Sequence, residues 1–405
     1  MSDWFQLDKE YMMPTYCRTE VAIERGEGCK LYDVEGKEYL DLFSGVGVNV
    51  LGYNHPKIVQ TTMEQVTKSL HLPFHFLNPV AIEYAKRLVD CSLKNGKVFF
   101  TNSGTEATET TLKLIDKYRS ITNEEREGVV VLKDSFHGRT LGALHFTRQE
   151  NVYQNFPKTS IPVYEVECEN IKELEDTIVN EHPIAIMLEP VLGSGGIYPL
   201  SSEYLEGIQL LCEKYNVLLI VDEVQSGMGR TGKLFAYQNF NITPDIIQFG
   251  KGAGGGIPLG GIIVGEKLCN VFSPGDHGTT FAHSSIGTAL GLTVLTTLID
   301  DGLMEEAYET SLYLNEKLQE IQKENSYYIQ EVRHAGMMFG ISMNDTNENV
   351  KKLQLELMEK GMLVDVTQGN IIRLLPPYII TKEEIDAFIN EFIFAIHSVA
   401  AIASV

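Results

Sequence analysis

The residue with the clearest chemical potential in this sequence is Lys251, in the stretch DIIQFGKGAGGG at residues 245–256. A run of strand-forming residues precedes the lysine, and five glycines surround it. Glycines let other backbone segments approach closely, and a lysine held there has an arm long enough to reach a bound molecule. The pattern is typical of a lysine that binds phosphate or forms a Schiff base with a carbonyl cofactor. A solvated lysine in a glycine turn is the purely structural alternative.

Two phosphate-binding motifs match this stretch poorly. A P-loop requires GxxxxGK followed by Ser or Thr, but Asp245 stands at the first glycine and Gly252 follows the lysine. Gly250, Gly252 and Gly255 do satisfy GxGxxG after a strand. That motif must open a helix whose N-terminus holds pyrophosphate, whereas IPLGGIIVG, which follows, has the pattern of another strand. A nucleotide-dependent oxidoreductase therefore stays as the alternative from a different class of enzyme.

A Schiff-base lysine would need a phosphate cradle elsewhere in the chain. Ser103-Gly104-Thr105 follows the strand-like KVFFT and precedes a helical pattern that begins near Glu106. Backbone N–H groups and the positive end of the helix dipole would face a dianion there, with two hydroxyls as further donors. Taken alone, the same residues are explained as well by an ordinary helix N-cap.

A carbonyl cofactor with a pyridine ring would also need a carboxylate for its nitrogen and an aromatic ring to stack on. Asp222 ends the strand-like VLLIVD, and ligands bind at that end of parallel strands. A buried aspartate there would keep the nitrogen protonated, and Gln225 is placed to bond a phenolic oxygen. Phe136 in DSFHGRT would stack on the ring, and Arg139 beside it is predicted to bind a carboxylate. The plain alternatives are a turn-capping acid and a core phenylalanine.

These residues follow strand-like segments, which predicts the elements that must position them. The apolar segments are residues 97–101, 129–132, 184–188, 217–221, 245–249 and 261–264, with amphipathic helical patterns between them. Continuous apolar strands alternating with helices indicate an α/β fold with a mainly parallel central sheet flanked by helices. We predict an N-terminal segment (1–50) that contributes to a small domain and the mouth of the site, a large cofactor-binding domain (51–287) and a small α+β domain (288–405).

Composition limits the partners. The chain has 405 residues and a formal net charge of −22, which argues against nucleic acid as a partner. The six cysteines include no CxxC pair and indicate reduced thiols. We expect a cytoplasmic location and no membrane partner, because no secretory signal is evident and the apolar C-terminal run is too short for a span. His71 and His75 have metal-like spacing, but Pro73 between them predicts a loop without a metal.

Seven longer segments resemble one enzyme family. They are VAIERGEGCKLYDVEGKEYLDLFSGVGVNVLGYNHPK, FFTNSGTEATE, FHGRT, LLIVDEVQSGMGRTGKLFAY, TPDIIQFGKGAGGGIPLGG, GDHGTTF and GNIIRLLPP. Together they are similar to the class III pyridoxal-phosphate-dependent aminotransferases, which have fold type I. The resemblance covers nearly the whole chain. It implies pyridoxal 5'-phosphate (PLP) as cofactor, small amino and 2-oxo acids as substrates, and a homodimer with shared active sites.

The resemblance also implies a role for each matching residue. Lys251 would carry PLP as a Schiff base and shuttle the proton, and Asp222 would pair with the ring nitrogen. The other cofactor contacts would come from Ser103, Gly104, Thr105, Phe136, Glu189 and Gln225, and from Thr280 reaching across from the neighbouring subunit. Substrates would contact Tyr16 at the pocket mouth, Thr279, and the carboxylate-binding Arg139 and Arg373.

The implied reaction moves the ω-amino group of N-acetylornithine to 2-oxoglutarate, as in arginine biosynthesis. Ornithine, 4-aminobutyrate, succinylornithine and diamines stay open as donors, as does a catalytically silent binding protein on the same fold. Relatives carry EPxQGEGG where this chain has EPVLGSGG, so Leu192 and Ser194 replace a glutamine and a glutamate. That glutamate normally pairs with the arginine at position 373, so we expect Arg373 to be free for substrate at all times. The serine also leaves a dialkylglycine-decarboxylase-like reaction open.

Overall fold

The structure is a computed structural model that describes residues 3–403. Its strands are Ile23–Glu27 (β1), Lys30–Asp33 (β2), Glu38–Asp41 (β3), Lys97–Thr101 (β4), Val129–Leu132 (β5), Val163–Val166 (β6), Ala185–Leu188 (β7), Val191–Leu192 (β8), Tyr198–Pro199 (β9), Leu218–Asp222 (β10), Ile246–Phe249 (β11), Gly260–Val264 (β12), Ile329–Ala335 (β13), Met338–Met343 (β14), Met362–Leu363 (β15), Asp365–Thr367 (β16) and Ile371–Leu374 (β17). Its α-helices are Trp4–Tyr11 (α1), Ser44–Gly47 (α2), Pro56–Lys68 (α3), Pro79–Asp90 (α4), Gly104–Thr122 (α5), Leu141–Phe146 (α6), Glu150–Tyr153 (α7), Ile171–Glu181 (α8), Ser202–Tyr215 (α9), Ser285–Ile299 (α10), Leu303–Glu324 (α11), Asn347–Glu359 (α12) and Lys382–Ala403 (α13).

The central sheet has the strand order β4-β12-β11-β10-β7-β5-β6. Strands β11, β10, β7, β5 and β6 are parallel, and β12 is antiparallel to both β11 and β4. Every residue of β5, β7, β10 and β11 is buried, as expected for a sheet covered on both faces. The carboxyl ends of β4, β10 and β11 therefore lie at the same edge of the sheet.

Alternate residues of the central strands enter two separate hydrophobic cores. In β10, Leu219 and Val221 belong to one core, and Leu218 and Ile220 belong to the other. Successive side chains of a strand point to opposite faces, so each face of the sheet has its own apolar layer. Helix α5 contributes to the second core, and this packing fixes the helix N-terminus beside the carboxyl edge.

Two further four-stranded sheets lie outside the central one. Strands β13, β14, β17 and β16 form an antiparallel sheet, in which Asp365 of β16 is the register partner of Arg373 in β17. Strands β1, β2 and β3 continue into β15, with Leu40 opposite Met362. The N-terminal strands thus share a sheet with a strand near residue 362, while the predicted domain boundaries stay a prediction.

The predicted fold class is confirmed, and the six predicted segments match β4, β5, β7, β10, β11 and β12 to within one residue at each end, whereas β6 of the same sheet was not predicted. A further difference lies after Lys251. The chain makes a single 3₁₀ turn over Lys251–Gly254 and then enters β12, so the helix that a dinucleotide-binding motif requires is missing there.

No single helix in residues 3–403 is long and apolar enough to cross a bilayer, although the bent pair α10 and α11 together has the length and composition of a span.

Candidate active site

Three segments from the central sheet meet in close contact at its carboxyl edge. Gly104 begins α5 after β4, Val224 follows β10, and Gly250 follows β11. A Cβ added to Gly104 would lie 2.6 Å from Val224 Cγ1, and one added to Gly250 would lie 3.3 Å from the same atom. Gly104 therefore has no room for a side chain. This is the close approach of backbone that the glycines before Lys251 predicted.

Lys251 directly follows this contact. Its φ of +47° lies in the left-handed region that residues other than glycine rarely adopt, which is a form of strain found at functional sites. Burial, and then the positive charge of Arg373, lower the pKa of the Lys251 amine to about 8. Such an amine is partly neutral near that pH, so it is able to act as a nucleophile and as a proton acceptor.

The carboxylate of Asp222 is held by a histidine. His137 Nδ1 lies 2.8 Å from Asp222 Oδ2, and the Val224 N–H donates to Asp222 Oδ1 at 3.0 Å. A carboxylate only accepts hydrogen bonds, so Nδ1 carries the proton. Both side chains are buried. No role was predicted for His137 from the sequence, and only its place beside Phe136 in FHGRT pointed to one.

Glu189 connects Phe136 to the loop after β7. Its carboxylate accepts from the Phe136 N–H at 2.8 Å and from the Gly193 N–H at 3.2 Å. Burial raises the pKa of Glu189 to about 7, while the charge of His137 opposes this shift and that of Asp222 adds to it. Glu189 therefore fixes the backbone that carries the half-buried ring of Phe136.

Several polar atoms of the site have no partner of their own. Gln225 is buried, and its Oε1 forms no hydrogen bond within residues 3–403. The backbone N–H groups of Gly104 and Thr105 also donate to no acceptor within that range. Buried polar groups normally find partners, and free N–H groups at a helix N-terminus bind phosphate. The free N–H groups fit the phosphate of PLP, and Gln225 Oε1 fits the phenolic O–H of PLP as an acceptor.

The hydroxyls of Ser103 and Thr105 already bind within the chain. Ser103 Oγ accepts from the Glu106 N–H at 3.3 Å and so caps helix α5. Thr105 Oγ1 accepts from the N–H groups of Arg139 and Thr140 at 3.1 and 3.2 Å. The N-cap interpretation thus describes Ser103, and Thr105 ties the start of α5 to the loop that carries Arg139.

The two arginines predicted to bind carboxylates have different surroundings. Arg139 is exposed, lies 5.4 Å from the centre of the Phe136 ring, and forms no ion pair in the described part of the chain. Arg373 is buried. It donates from Nε and Nη2 to Asp365 Oδ2 at 3.0 and 2.7 Å, and from Nη1 to the Gly193 carbonyl at 3.2 Å. The expectation that Arg373 is always free is wrong, because the neighbouring strand supplies an acid in place of the missing glutamate.

A left-handed turn was also not predicted. Ser44, Gly45, Val46 and Gly47 all have positive φ, between 46° and 76°, and for a β-branched valine this is strained. The turn contacts the segment that begins at Lys251. The preceding Phe43 places its ring 5.3 Å from the Arg373 guanidinium. The sequence signal was the glycine pair in SGVG.

Three predicted residues, Thr279, Thr280 and Tyr16, lie near the surface of the chain. The first two were predicted near the substrate and the neighbouring subunit's phosphate, and Tyr16 at the mouth of the pocket. Thr280 is exposed. Thr279 Oγ1 accepts from Asn102 Nδ2 at 3.1 Å, which holds this loop beside the helix start of its own chain. Tyr16 is 76 % exposed, its ring lies 5.7 Å from the Arg18 guanidinium, and it forms no hydrogen bond to another site residue within residues 3–403.

Hydrogen bonds and close contacts therefore gather most of the predicted residues in one place within a single chain. These are Ser103, Gly104, Thr105, Phe136, Arg139, Glu189, Asp222, Gln225, Lys251 and Arg373. The arrangement combines an amine of lowered pKa, a buried carboxylate held by a histidine, an anion-binding helix start and a buried cation. Asp365 and His137 are the two members that the sequence did not reveal.

Comparison with known proteins gives a consistent result. The family model for aminotransferase class III matches residues 11–396. The chain is 38 % identical over 380 residues to an acetylornithine aminotransferase of Caldanaerobacter subterraneus subsp. tengcongensis, covering 94 % of this chain and 95 % of the relative. It is 39 % identical over 380 residues to the acetylornithine aminotransferase of Aquifex aeolicus, covering 94 % and 98 %.

Solved structures show the same fold. The ornithine aminotransferase of Toxoplasma gondii superimposes with a TM-score of 0.93 at 27 % identity, covering 98 % of this chain and 95 % of that one. A second structure of that enzyme, with the same TM-score and identity, covers 98 % of this chain and 94 % of that one. It is described as holding PLP at partial occupancy in its active site.

Proposed function

The chain belongs to the class III aminotransferase family, and on that premise we propose that it transfers the ω-amino group of N-acetylornithine to 2-oxoglutarate. The products would be N-acetylglutamate semialdehyde and glutamate, in a step of arginine biosynthesis. The enzyme is a PLP-dependent aminotransferase. The observation that carries the donor assignment is the common name of relatives that align with this chain over nearly the full length of both.

The ring of PLP would be held by the side chains at the ends of β10 and β5. When bound, PLP draws electrons from the reacting carbon of the substrate through its protonated pyridine ring. Asp222, oriented by His137, would keep a proton on the ring nitrogen. Phe136 would stack on the ring, and the unpartnered amide of Gln225 would bond the phenolic oxygen. Glu189 supports this arrangement because it fixes the backbone of Phe136.

The phosphate would be held at the N-terminus of α5. The Gly104 and Thr105 N–H groups have no other acceptor within residues 3–403, and the helix dipole favours a dianion there. The Ser103 hydroxyl accepts a hydrogen bond from the chain and keeps its own proton to donate. The Thr105 hydroxyl donates to Thr140 Oγ1, because the Thr140 proton goes to Glu109, so Thr105 would bind the phosphate through its N–H. Thr280 would supply a further hydroxyl from the neighbouring subunit.

Lys251 would anchor the cofactor and move the proton. Its Nζ would take a proton from the substrate carbon that bears the amino group, and would return a proton in the second half of the cycle. The lowered pKa of about 8 keeps part of the amine neutral near physiological pH. Hydrogen bonds hold the carboxylates of Asp222 and Glu189 in place, so neither side chain needs to move during this step.

Substrate carboxylates would bind to the two arginines. Arg139 is exposed and unpaired in the described part of the chain, which suits the distal carboxylate of a long substrate. Arg373 is buried within Coulomb range of Lys251, which suits a carboxylate on the reacting carbon. Tyr16 and Thr279 would complete the wall and mouth of the site.

We also propose a homodimer. One face of helix α3, with Val59, Met63 and Val66, is exposed, and it is followed by an exposed apolar loop that includes Phe76 and Leu77. A contiguous exposed apolar surface is typical of an interaction site. Thr280 is also exposed, in a loop held beside the helix start of its own chain. In a dimer formed through this surface, with both active sites near the two-fold axis, Thr280 of each subunit would reach the phosphate site of the other subunit.

A cytoplasmic location is part of the proposal. All six cysteines are free thiols in the structure, as expected of a chain kept in a reducing compartment. Cell fractionation followed by a transaminase assay of each fraction tests this location.

Half-reactions with single amines test the donor. Holoenzyme is mixed with N-acetylornithine, ornithine, succinylornithine or 4-aminobutyrate in the absence of any 2-oxo acid, and the loss of the visible cofactor band is followed. We expect N-acetylornithine to react with the highest kcat/KM. If 4-aminobutyrate or ornithine converts the cofactor and N-acetylornithine does not, the proposed donor is wrong, although the family assignment stands.

A further inference from the structure

We propose that Asp365 is a specificity-determining residue of this enzyme. It holds Arg373 in an ion pair when no acceptor is bound, and the carboxylate of a 2-oxo acid must displace it. This inference rests on the proposed function, in which a 2-oxo acid and an ω-amine share one site. A substrate without a carboxylate on its reacting carbon would leave the Asp365–Arg373 pair intact. A 2-oxo acid would open it.

The geometry of the pair comes from strand register. Asp365 in β16 lies directly opposite Arg373 in the antiparallel strand β17. Side chains directly opposite each other on two strands lie within reach, and opposite charges there attract. Two guanidinium nitrogens donate to the single oxygen Asp365 Oδ2. The pair therefore forms without any movement of a loop.

Burial explains why Arg373 needs a counter-ion. The Arg373 side chain is 8 % exposed, and a buried cation without a paired charge is strongly unfavourable. Asp365 meets this need in the free protein, and the Gly193 carbonyl takes a third hydrogen bond. A substrate carboxylate is able to replace Asp365 because it would offer Arg373 the same charge and two oxygens.

Asp365 itself is free to leave. Its side chain is 26 % exposed, and within residues 3–403 its other oxygen, Oδ1, accepts no hydrogen bond. A rotation about the side-chain bonds would carry the carboxylate into water, where it is well solvated. Asp365 thus differs from Asp222, which is buried and bonded through both oxygens.

The loop around Ser194, where relatives carry the acid, binds the β16–β17 hairpin instead. Ser194 stands where the family resemblance leads us to expect a glutamate. Its backbone carbonyl accepts from Thr367 Oγ1 at 2.8 Å and from Gln368 Nε2 at 3.1 Å, both in the β16–β17 hairpin. The loop therefore anchors the hairpin, and the hairpin supplies the counter-ion.

The reacting end of each substrate decides whether the pair opens. Arg373 is the cation whose charge acts most strongly on Lys251, so it lies near the carbon at which the chemistry occurs. An ω-amine bears no carboxylate on that carbon, and its distal carboxylate has the unpaired Arg139 available. A 2-oxo acid does bear one, and the buried Arg373 would receive it.

Titration of the PLP-loaded enzyme with glutarate tests the inference. Glutarate has the carbon skeleton of 2-oxoglutarate without the reactive carbonyl, so calorimetry measures carboxylate binding alone. We expect Asp365→Asn to bind glutarate about tenfold more tightly than the wild type, because the competing charge is gone. The KM of the amine donor identified by the half-reactions should change by less than about threefold. The control Glu348→Gln removes an equal charge from an exposed ion pair with Lys352 and should change neither value.

A double-mutant cycle separates this role from a structural one. In an Arg373→Gln background, Asp365→Asn should have no further effect on glutarate affinity, because the two residues act on the ligand only through each other. An equal gain in both backgrounds would overturn the inference. So would an unchanged glutarate affinity in a folded Asp365→Asn enzyme.

A crystal structure of the wild-type holoenzyme with glutarate keeps the inference testable if Asp365→Asn does not fold. We expect the Arg373 guanidinium to bind a glutarate carboxylate, with Asp365 turned toward solvent. Glutarate bound while Asp365 still holds Arg373 would contradict the inference. The titration, the double-mutant cycle and the crystal structure all measure glutarate binding without an amine donor. Their results therefore stay interpretable even if the proposed donor is wrong.

Discussion

At the scale of single residues, the site works by holding charged groups away from water. Lys251 has a lowered pKa because it is buried near Arg373, and Glu189 has a raised pKa because it is buried. Asp222 keeps its place through His137. Each of these groups has a defined partner, so substitution of the partner should change the chemistry of the group itself.

The pH dependence of cofactor capture reports the pKa of Lys251. The neutral amine is the reactive form, and a lowered pKa means that this form is reached at lower pH. We expect the rate at which the PLP-free protein captures PLP to rise with pH and to level off above about pH 8. An Arg373→Gln variant lacks the charge that, after burial, does most to lower this pKa, so its midpoint should move to higher pH. A rate that keeps rising past pH 10 in the wild type would contradict the lowered pKa.

His137 should matter through Asp222 alone. A hydrogen bond to a charged group contributes about 1.5–3 kcal/mol, so His137→Leu, which leaves Asp222 Oδ2 without this donor, should lower kcat by about tenfold to a hundredfold. The control is His145→Leu, because His145 is half-buried and its side chain bonds only the Ile161 carbonyl. Steady-state kinetics of the two variants decide the question. Equal losses in both would show that His137 has only a packing role.

At the scale of elements, the site is where the starts and ends of three segments come together. The first turn of α5, the turn after β10 and the turn after β11 touch at Gly104, Val224 and Gly250. The parallel arrangement of β10 and β11 places their ends at one edge, and α5 is fixed by its packing in the second core. A side chain added at the contact should therefore disturb cofactor binding before it disturbs the fold.

Gly104→Ala tests this contact. The new Cβ would lie 2.6 Å from Val224 Cγ1, and overpacking of this kind costs about 1–3 kcal/mol. We expect PLP affinity, measured by fluorescence titration, to fall by about tenfold to a hundredfold. Val224→Ala in the same chain should restore most of the loss, because it removes the clashing methyl groups.

Gly265→Ala is the matched control for Gly104→Ala. At Gly265 the atom nearest to a new Cβ is the Asp245 carbonyl oxygen at 3.7 Å, an ordinary contact. This variant should bind PLP as the wild type does. If Gly104→Ala also binds PLP normally, the close approach at Val224 is not needed for the phosphate site.

The sequence allowed the strands and the cofactor residues to be predicted for identifiable reasons. The apolar runs that became β5, β7, β10 and β11 are continuous, which is what a strand covered on both faces requires. Glycine-rich motifs marked the turns after them. Asp365 escaped prediction because its pairing depends on the register of the β16–β17 hairpin, and register is set by the turn and by packing rather than by residue type.

At the scale of the whole molecule, the proposed shared active site would be formed by two chains. Thr280 and the apolar surface of α3 and the loop after it are exposed in one chain. A shared site predicts that defects in different residues of the two subunits complement each other.

Mixed dimers of Lys251→Ala and Thr280→Val test the shared site. Alone, the first variant should be inactive, and the second should bind PLP about tenfold more weakly, since a hydrogen bond to phosphate is lost. If Thr280 serves the partner's phosphate, one site of the mixed dimer receives both defects and the other receives none. The purified mixed dimer should then show about half the wild-type activity with wild-type PLP affinity. A mixed dimer whose remaining activity shows the weakened PLP affinity of Thr280→Val would place Thr280 in its own subunit's site.

Hydride trapping of the purified holoenzyme tests the central claim most directly. Borohydride reduction fixes the cofactor to the amine that holds it, and peptide mass spectrometry then locates the phosphopyridoxyl group. We predict that reduction bleaches the visible band and that the group is found on Lys251, with none on any other lysine. A colourless protein, or a modified peptide that does not contain Lys251, would contradict the account.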